Sequence, residues 1–372
     1  MSESMETIVP VSCASRAYEV HVGVGNLASV GAVTRKAAGG ERACVVTETN
    51  VGPLYADVVK ASLESAGYVA SVVTFPAGEQ HKRLSTLEGI LEALAEEQLT
   101  RDDVVVALGG GVTGDMAGLA AAMYLRGIQV VQVPTSLLAM VDSSVGGKVA
   151  VDLAHGKNLC GFFWQPSAVV ADVACLRTIE PELFRDSVGE VVKHAVLADP
   201  DMLGLLSQKP LVSDAFADDE VARIVAENVR IKRDVVDADE REQGLRQTLN
   251  LGHTIGHGIE AASDFSLGHG SSVAAGLCCM ARACAKKGWC EPSTRDAIVA
   301  AVTAQGLPTD TDLPHKQIFD YMTHDKKRHG DTMNIVVPAR IGAVEVRRVG
   351  LAELRELVEL GCGTGEEARS WT

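Results

Sequence analysis

The strongest constraint on the fold is a regular alternation in the first half of the chain. Ala43–Thr47, Ala70–Phe75, Val104–Leu108, Val130–Val133 and Ala168–Ala171 are short valine-rich runs with the length and β-branched content of buried strands. Tyr55–Ser65 and Leu84–Glu97 lie among them and repeat apolar residues at helical spacing. Such alternation predicts a mostly parallel sheet with helices on its faces, and ligands bind these sheets at the carboxyl ends of the strands. From about Glu180 the pattern changes. Helices are expected at Glu182–Ala198, Asp218–Asp234, Gly252–Ala262, Ser272–Lys287 and Pro292–Gln305, with late strands at Thr332–Val337 and Ala343–Val349. A chain of 372 residues exceeds what one core usually serves. We therefore expect an α/β domain over 1–180 and a mostly helical domain over 181–372.

The net charge of −15 argues against nucleic acid or an anionic membrane as a partner. No uncharged apolar run is long enough to span a bilayer; Gly127–Val141 comes nearest and is broken by Pro134. The nine cysteines are odd in number, include no Cys-x-x-Cys pair and sit mostly in apolar runs, which predicts buried, reduced thiols. Met1–Thr7 lacks the basic-then-apolar pattern of an export signal, so a cytoplasmic location is expected.

Val104–Leu108 leads into Gly109-Gly110-Gly111-Val112-Thr113-Gly114-Asp115 and then a helix to Leu125. Strand, glycine turn and helix form a cradle for phosphate: glycines allow close backbone approach, and the helix start offers free N–H groups. The order is not G-x-G-x-x-G with a later acid, so this is not the standard dinucleotide motif. Asp115 either offsets the helix dipole or meets a ribose or nicotinamide amide; its position leaves both open.

Glu190 and Lys193 share a helical face, as do His253 and His257, and His269 follows between glycines. Two histidines and a carboxylate with an open position suit a catalytic divalent cation. Spacing alone does not say whether His257 or His269 completes the set. Several cations stand beside glycines or in uncharged runs: Arg126, Lys148, Lys157, Lys193 and Arg246, with a late basic run at Lys326-Lys327-Arg328. Groups so placed can hold phosphate and carboxylate, although a solvated role is the commoner one for any single residue and above all for the last run.

Taken in order, these segments resemble 3-dehydroquinate synthases, of the sugar phosphate cyclase superfamily. The resemblance is carried by Pro76–Glu79, Gly109–Asp115, Tyr124–Gly127, Val133–Ala139, Val141–Lys148, Gly156–Leu159, Glu190–Lys193 and Asp237–Glu260. It implies a Rossmann-like NAD-binding α/β domain followed by a mostly α-helical domain for metal and substrate, in a homodimer. It implies zinc or cobalt held by Glu190, His253 and His269. NAD would meet Glu48, Asn50, Glu79, Lys82, Gly110, Gly111, Asp115, Thr135, Ser136, Asp142, Lys148, Lys157 and Thr178. The substrate, a phosphorylated sugar acid, would meet Asp142, Lys148, Asn158, Lys193, Arg246, Asn250, His257 and Lys326, with Arg126 reaching a neighbouring subunit. The implied reaction converts 3-deoxy-D-arabino-heptulosonate 7-phosphate to 3-dehydroquinate through transient oxidation at C5, β-elimination of phosphate, return of the hydride, ring opening and aldol closure. NAD is then catalytic and not consumed.

The chain departs from the family at Ser271, where a glutamate is usual after His-Gly, at Val149–Asp152, and at Ser136 in place of a threonine. Three rivals remain at this level. An aminodehydroquinate synthase shares the motifs, whereas valiolone and scyllo-inosose synthases depart near Arg246 and Asn250. A metal-dependent polyol dehydrogenase would accumulate NADH. A catalytically dead binding homologue would have no reason to keep the ligands and buried cations.

Overall fold

The computed structural model describes residues 6–211, 216–324, 328–329 and 331–363. The chain divides into two compact units, one made of Met1–Ile179 with Ala217–Arg241, the other of Glu180–Phe216 with Glu242–Thr372.

The first unit is built on a seven-stranded sheet. In chain order its elements are β1 (Thr7–Ser12), β2 (Ala17–Gly23), α1 (Val30–Ala37), β3 (Arg42–Glu48), α2 (Gly52–Ser65), β4 (Val69–Phe75), α3 (Leu84–Glu96), β5 (Val104–Gly109), α4 (Gly111–Met123), β6 (Gln129–Pro134), the hairpin β7 (Lys148–Leu153) and β8 (Gly156–Phe163), and β9 (Ala168–Asp172). The sheet order is β1-β2-β9-β6-β5-β3-β4, parallel throughout except for edge strand β1. The central β5 and β9 are buried along their whole length, which is why Val104–Gly109 and Ala168–Ala171 are unbroken apolar runs rather than alternating ones. From β3 the chain steps outward to β4, then returns past β3 to β5 and continues the other way to β6. That reversal opens a crevice at the carboxyl ends of β3 and β5.

After β9 come α5 (Pro181–Ala198) and α6 (Pro200–Leu206) of the second unit, and then α7 (Asp218–Ala238), which belongs with the first. Val225, Val229 and Val236 form a buried stripe on α7, which packs on β1 and β2. Asp218, Asp219 and Glu220 start it on the favourable side of the helix dipole, and Glu220 Oε2 accepts the Ala217 N–H at 2.9 Å.

The second unit continues with α8 (His253–Ala262), α9 (His269–Lys286), α10 (Pro292–Ala304), α11 (His315–His324), β10 (Arg328–His329), β11 (Thr332–Arg340), β12 (Ala343–Gly350) and α12 (Leu351–Gly361). α9 is its centre: it packs against α5, α8, α10 and α12 and is buried along nearly its whole length. Gly189 on α5 and Gly270 on α9 let two backbones touch, since a Cβ at Gly189 would lie 2.0 Å from the Gly270 carbonyl oxygen.

The strands and helices read from the periodicities are present with ends shifted by a few residues. The sequence reading did not include α1, α6, α11, α12 or β10, nor α7 as part of the first unit, and three further features were not foreseen. β1 and β2 alternate polar and apolar residues too briefly to stand out, the β7–β8 hairpin is interrupted by glycines, and α9 begins at His269 rather than Ser272.

Candidate active site: end-of-strand loops and a carboxylate–imidazole cluster

In the first unit, most of the residues expected to meet NAD fall just beyond strand ends. Glu48 closes β3, and its carboxylate accepts the Asn50 N–H at 2.6 Å and the Val51 N–H at 3.0 Å, which fixes the start of α2. Glu79 and Lys82 follow β4, Gly110 and Gly111 follow β5, and Thr135 and Ser136 follow β6. Thr178 ends the turn after β9, where its Oγ1 lies 2.7 Å from the Tyr55 hydroxyl. Gly111 opens α4, so the N–H groups of its first turn face away from the helix with no partner inside it. A Cβ at Gly110 would sit 3.3 Å from Ser136 Oγ, and one at Gly111 would sit 3.2 Å from Ser143 Oγ. The turn is therefore a bare-backbone cradle walled by hydroxyls, as an anion site requires.

Lys82 ties this region together. Lys82 is 5% exposed, and its ammonium pairs with Asp115 Oδ2 at 2.7 Å and donates to Asn158 Oδ1 at 2.6 Å. Burial works to lower the Lys82 pKa, but Asp115 and Glu79 outweigh it and raise it. Burial pushes the Asp115 carboxyl up to about 6 despite Lys82. Lys157 reaches Glu79 at 4.0 Å. Asp142 lies in a turn of π-helix at Ala139–Ser143 and pairs through Oδ1 with Lys232 at 2.8 Å. Lys148 begins β7 with its side chain exposed. Arg126 lies in an exposed turn where Leu125 has φ 49° and Arg126 has φ 70°.

In the second unit, Glu190, His253 and His269 converge. Glu190 is fully buried, and its Oε1 lies 3.5 Å from both His253 Nε2 and His269 Nε2. Each imidazole is turned by its other nitrogen: His253 Nδ1 lies 3.1 Å from the Leu251 carbonyl oxygen and His269 Nδ1 lies 3.2 Å from Glu260 Oε2. Ligand distances of about 2.0–2.2 Å in a tetrahedral shell put neighbouring donors about 3.4 Å apart. The two carboxylate–imidazole distances match that, and all three donors lie within 4.8 Å of one another, as a divalent cation site requires. Among the described residues neither Glu190 oxygen has a hydrogen-bond partner, although Lys193 forms an ion pair with Oε2. Burial would raise the Glu190 carboxyl, yet Lys193 and the two imidazoles hold it well below the usual carboxylate range. Burial holds His253 well below the usual imidazole range against the pull of Glu190. Burial also works to lower His269, but Glu190 and Glu260 outweigh it and push it up to about 10.

His257, one turn along α8, has its ring centroid 5.1 Å from that of His253 and 5.8 Å from that of His269. It also groups with Glu260 and His269 in a second set of close donor atoms. Lys193 and Arg246 are the largest fully buried side chains among the described residues, a placement a solvated role does not explain. Asn250 donates to Glu242 Oε1 at 2.8 Å. Lys326 lies outside the described residues.

Sequence reasoning passed over Lys232, Glu242 and Glu260. Lys232 and Glu260 carried a legible signal, a charged residue inside a buried stripe: Lys232 follows Val225 and Val229, and Glu260 follows His253 and His257 at helical spacing.

A sequence model of the 3-dehydroquinate synthase N-terminal region matches residues 72–186, and one of the C-terminal region matches residues 187–328. The chain belongs to the 3-dehydroquinate synthase family. Within that family, the 3-dehydroquinate synthase of Citrifermentans bemidjiense is 41% identical over 360 residues, covering 96% of this chain and 99% of the relative. That of Lactiplantibacillus plantarum is 41% identical over 349 residues, covering 94% and 97%. Among solved structures, 2-deoxy-scyllo-inosose synthase complexed with carbaglucose-6-phosphate, NAD+ and Co2+ superposes with a TM-score of 0.86 at 25% identity, covering 95% of this chain and 100% of that one. Among the described residues no helix is long and apolar enough to cross a membrane.

Proposed function

We propose that this chain is a 3-dehydroquinate synthase, a carbon–oxygen lyase that converts 3-deoxy-D-arabino-heptulosonate 7-phosphate to 3-dehydroquinate and phosphate. The observation that carries this reading, in a chain of that family, is the buried Glu190 with His253 and His269 each 3.5 Å from its Oε1 and Lys193 paired to its Oε2. We assign NAD to 1–180 and the metal and most substrate contacts to 181–372. When bound, NAD takes up and returns a hydride, and a zinc- or cobalt-type cation acts as a Lewis acid on a substrate oxygen.

The chain's own groups supply orientation and charge. Glu190, His253 and His269 hold the cation. The Arg246 guanidinium is a planar fork suited to phosphate or carboxylate, and its burial keeps water from competing. Lys193 offers an ammonium to the substrate's carboxylate and hydroxyls, and Asn250, oriented by Glu242, offers its amide. His257 is the group to move a proton beside the ligands. Asp142, Lys148, Asn158 and Lys326 complete the substrate contacts. On the cofactor side, the N–H groups at Gly110 and Gly111 receive phosphate, and Glu48, Asn50, Glu79, Lys82, Asp115, Thr135, Ser136, Asp142, Lys148, Lys157 and Thr178 surround the rest.

Phosphate release from the heptulosonate phosphate with catalytic NAD+, before and after chelation and metal return, tests the reading. Metal-dependent release without net NADH supports it; stoichiometric NADH indicates a dehydrogenase, and preferential turnover of the amino-substituted substrate indicates an aminodehydroquinate synthase. We also assign a cytoplasmic homodimer in which Arg126, exposed on its left-handed turn, reaches the partner; sedimentation showing a monomer under assay conditions contradicts that part.

A further inference from the structure

The second unit holds a deep carboxylate that the proposed chemistry does not use. Glu260 is 6% exposed and lies seven residues after His253 on α8, so His253, His257 and Glu260 share one helical face. A carboxylate this deep is costly unless something pairs with it. Its Oε2 lies 3.2 Å from His269 Nδ1. With that nitrogen engaged, His269 can present only Nε2 toward Glu190. His253 is turned differently, by the neutral Leu251 carbonyl.

The two imidazoles also differ in how firmly packing holds them. Each stands at the first residue of its helix, but the His253 side chain is 12% exposed and that of His269 is 32% exposed. His269 is thus the ring with more freedom to lose, and the one given a charged acceptor. Such an acceptor fixes the tautomer and raises the donor strength of the opposite nitrogen. Residue 271, where the family usually has a glutamate, is serine here, so no carboxylate comes from that position.

We infer that Glu260 is a positioning residue whose carboxylate holds His269 Nδ1 and thereby sets the affinity of the Glu190–His253–His269 cluster for a divalent cation. This rests on the metal reading above. The competing account is that Glu260 is itself a ligand of a second ion, since His257, Glu260 and His269 offer donor atoms within 4.8 Å of one another.

The test is cobalt(II) titration of the metal-free full chain, with affinity from chelator competition, stoichiometry from metal analysis and geometry from the visible d–d spectrum. His253→Ala, Glu260→Ala and Glu260→Gln are compared with the unaltered chain, and NAD affinity reports an intact fold. The inference expects one ion per chain, lost in His253→Ala. Glu260→Ala should bind roughly 10- to 100-fold more weakly with an altered spectrum. Glu260→Gln, whose amide oxygen still accepts from Nδ1, should fall between and decides the case if the alanine variant fails to fold. Unchanged affinity and spectrum in both Glu260 variants, while His253→Ala loses the ion, overturn this inference alone. Full retention in His253→Ala overturns the metal reading and this inference with it. Two ions per chain, reduced to one by Glu260→Ala, overturn it in favour of the second ion.

Discussion

Arg246 and Lys193 are each only 1% exposed, a placement that a solvated role does not explain. Lys193 has Glu190 beside it, and Arg246 is the group we assign to the substrate's anionic end. Arg246→Ala should therefore lower kcat/KM by roughly a hundredfold, about 3 kcal/mol, with NAD affinity near that of the unaltered chain. Equal losses in NAD binding and in kcat/KM would contradict a substrate clamp. Asp115 makes a pH prediction. Its carboxyl is raised to about 6 by burial, so the folded chain keeps this proton after the unfolded chain, with an ordinary aspartate value near 4, has released it. The contribution to stability is thus full below about pH 4 and is lost as pH rises through about 6, a change of roughly 3 kcal/mol. Urea unfolding of the unaltered chain and of Asp115→Asn across that window checks it: the stability difference between them should fall as pH rises, and a flat difference refutes the shift.

At the scale of elements, the cluster exists because helices approach with little between them. Gly189 precedes Glu190 and Gly270 follows His269, and a Cβ at Gly270 would lie 1.8 Å from the Asp186 carbonyl oxygen. Gly189→Ala should force α5 from α9, cost about 1–3 kcal/mol and weaken metal retention. Gly204 on α6 is the control, because among the described residues a Cβ there meets nothing within 4 Å. Gly204→Ala should stabilise by about 0.5–1 kcal/mol through helix propensity, without touching metal content. Thermal unfolding and metal analysis separate the two, and a harmless Gly189→Ala contradicts the close-approach account. Which elements form was largely legible: buried strands such as β5 announce themselves as valine runs, and α8 and α9 as helical stripes. Which helices touch was not, because Gly189 and Gly270 carry no periodic signal and their meaning comes from the backbone opposite.

Across the whole molecule, the cysteines report on packing. Eight of the nine are buried, and Cys160 on β8 is partly exposed. Burial raises the Cys44 thiol to about 11 and those of Cys175, Cys278 and Cys284 to about 12. Iodoacetamide at pH 8 should therefore modify about one thiol per native chain quickly and all nine after denaturation, since the thiolate is the reactive form. A rapid native burst of several thiols, followed by mass spectrometry, would contradict such a packed interior. Local pattern was enough to determine the strand–helix alternation, the glycine turn at Gly109–Gly111 and the shared face of His253 and His257, because each is a regularity over a few residues. It could not choose between His257 and His269 beside Glu190, nor find Glu260 behind His269 or Lys232 beside Asp142. Those pairings join residues on different helices or loops. Their distances follow from how closely the backbones pack, a property no spacing along the chain records.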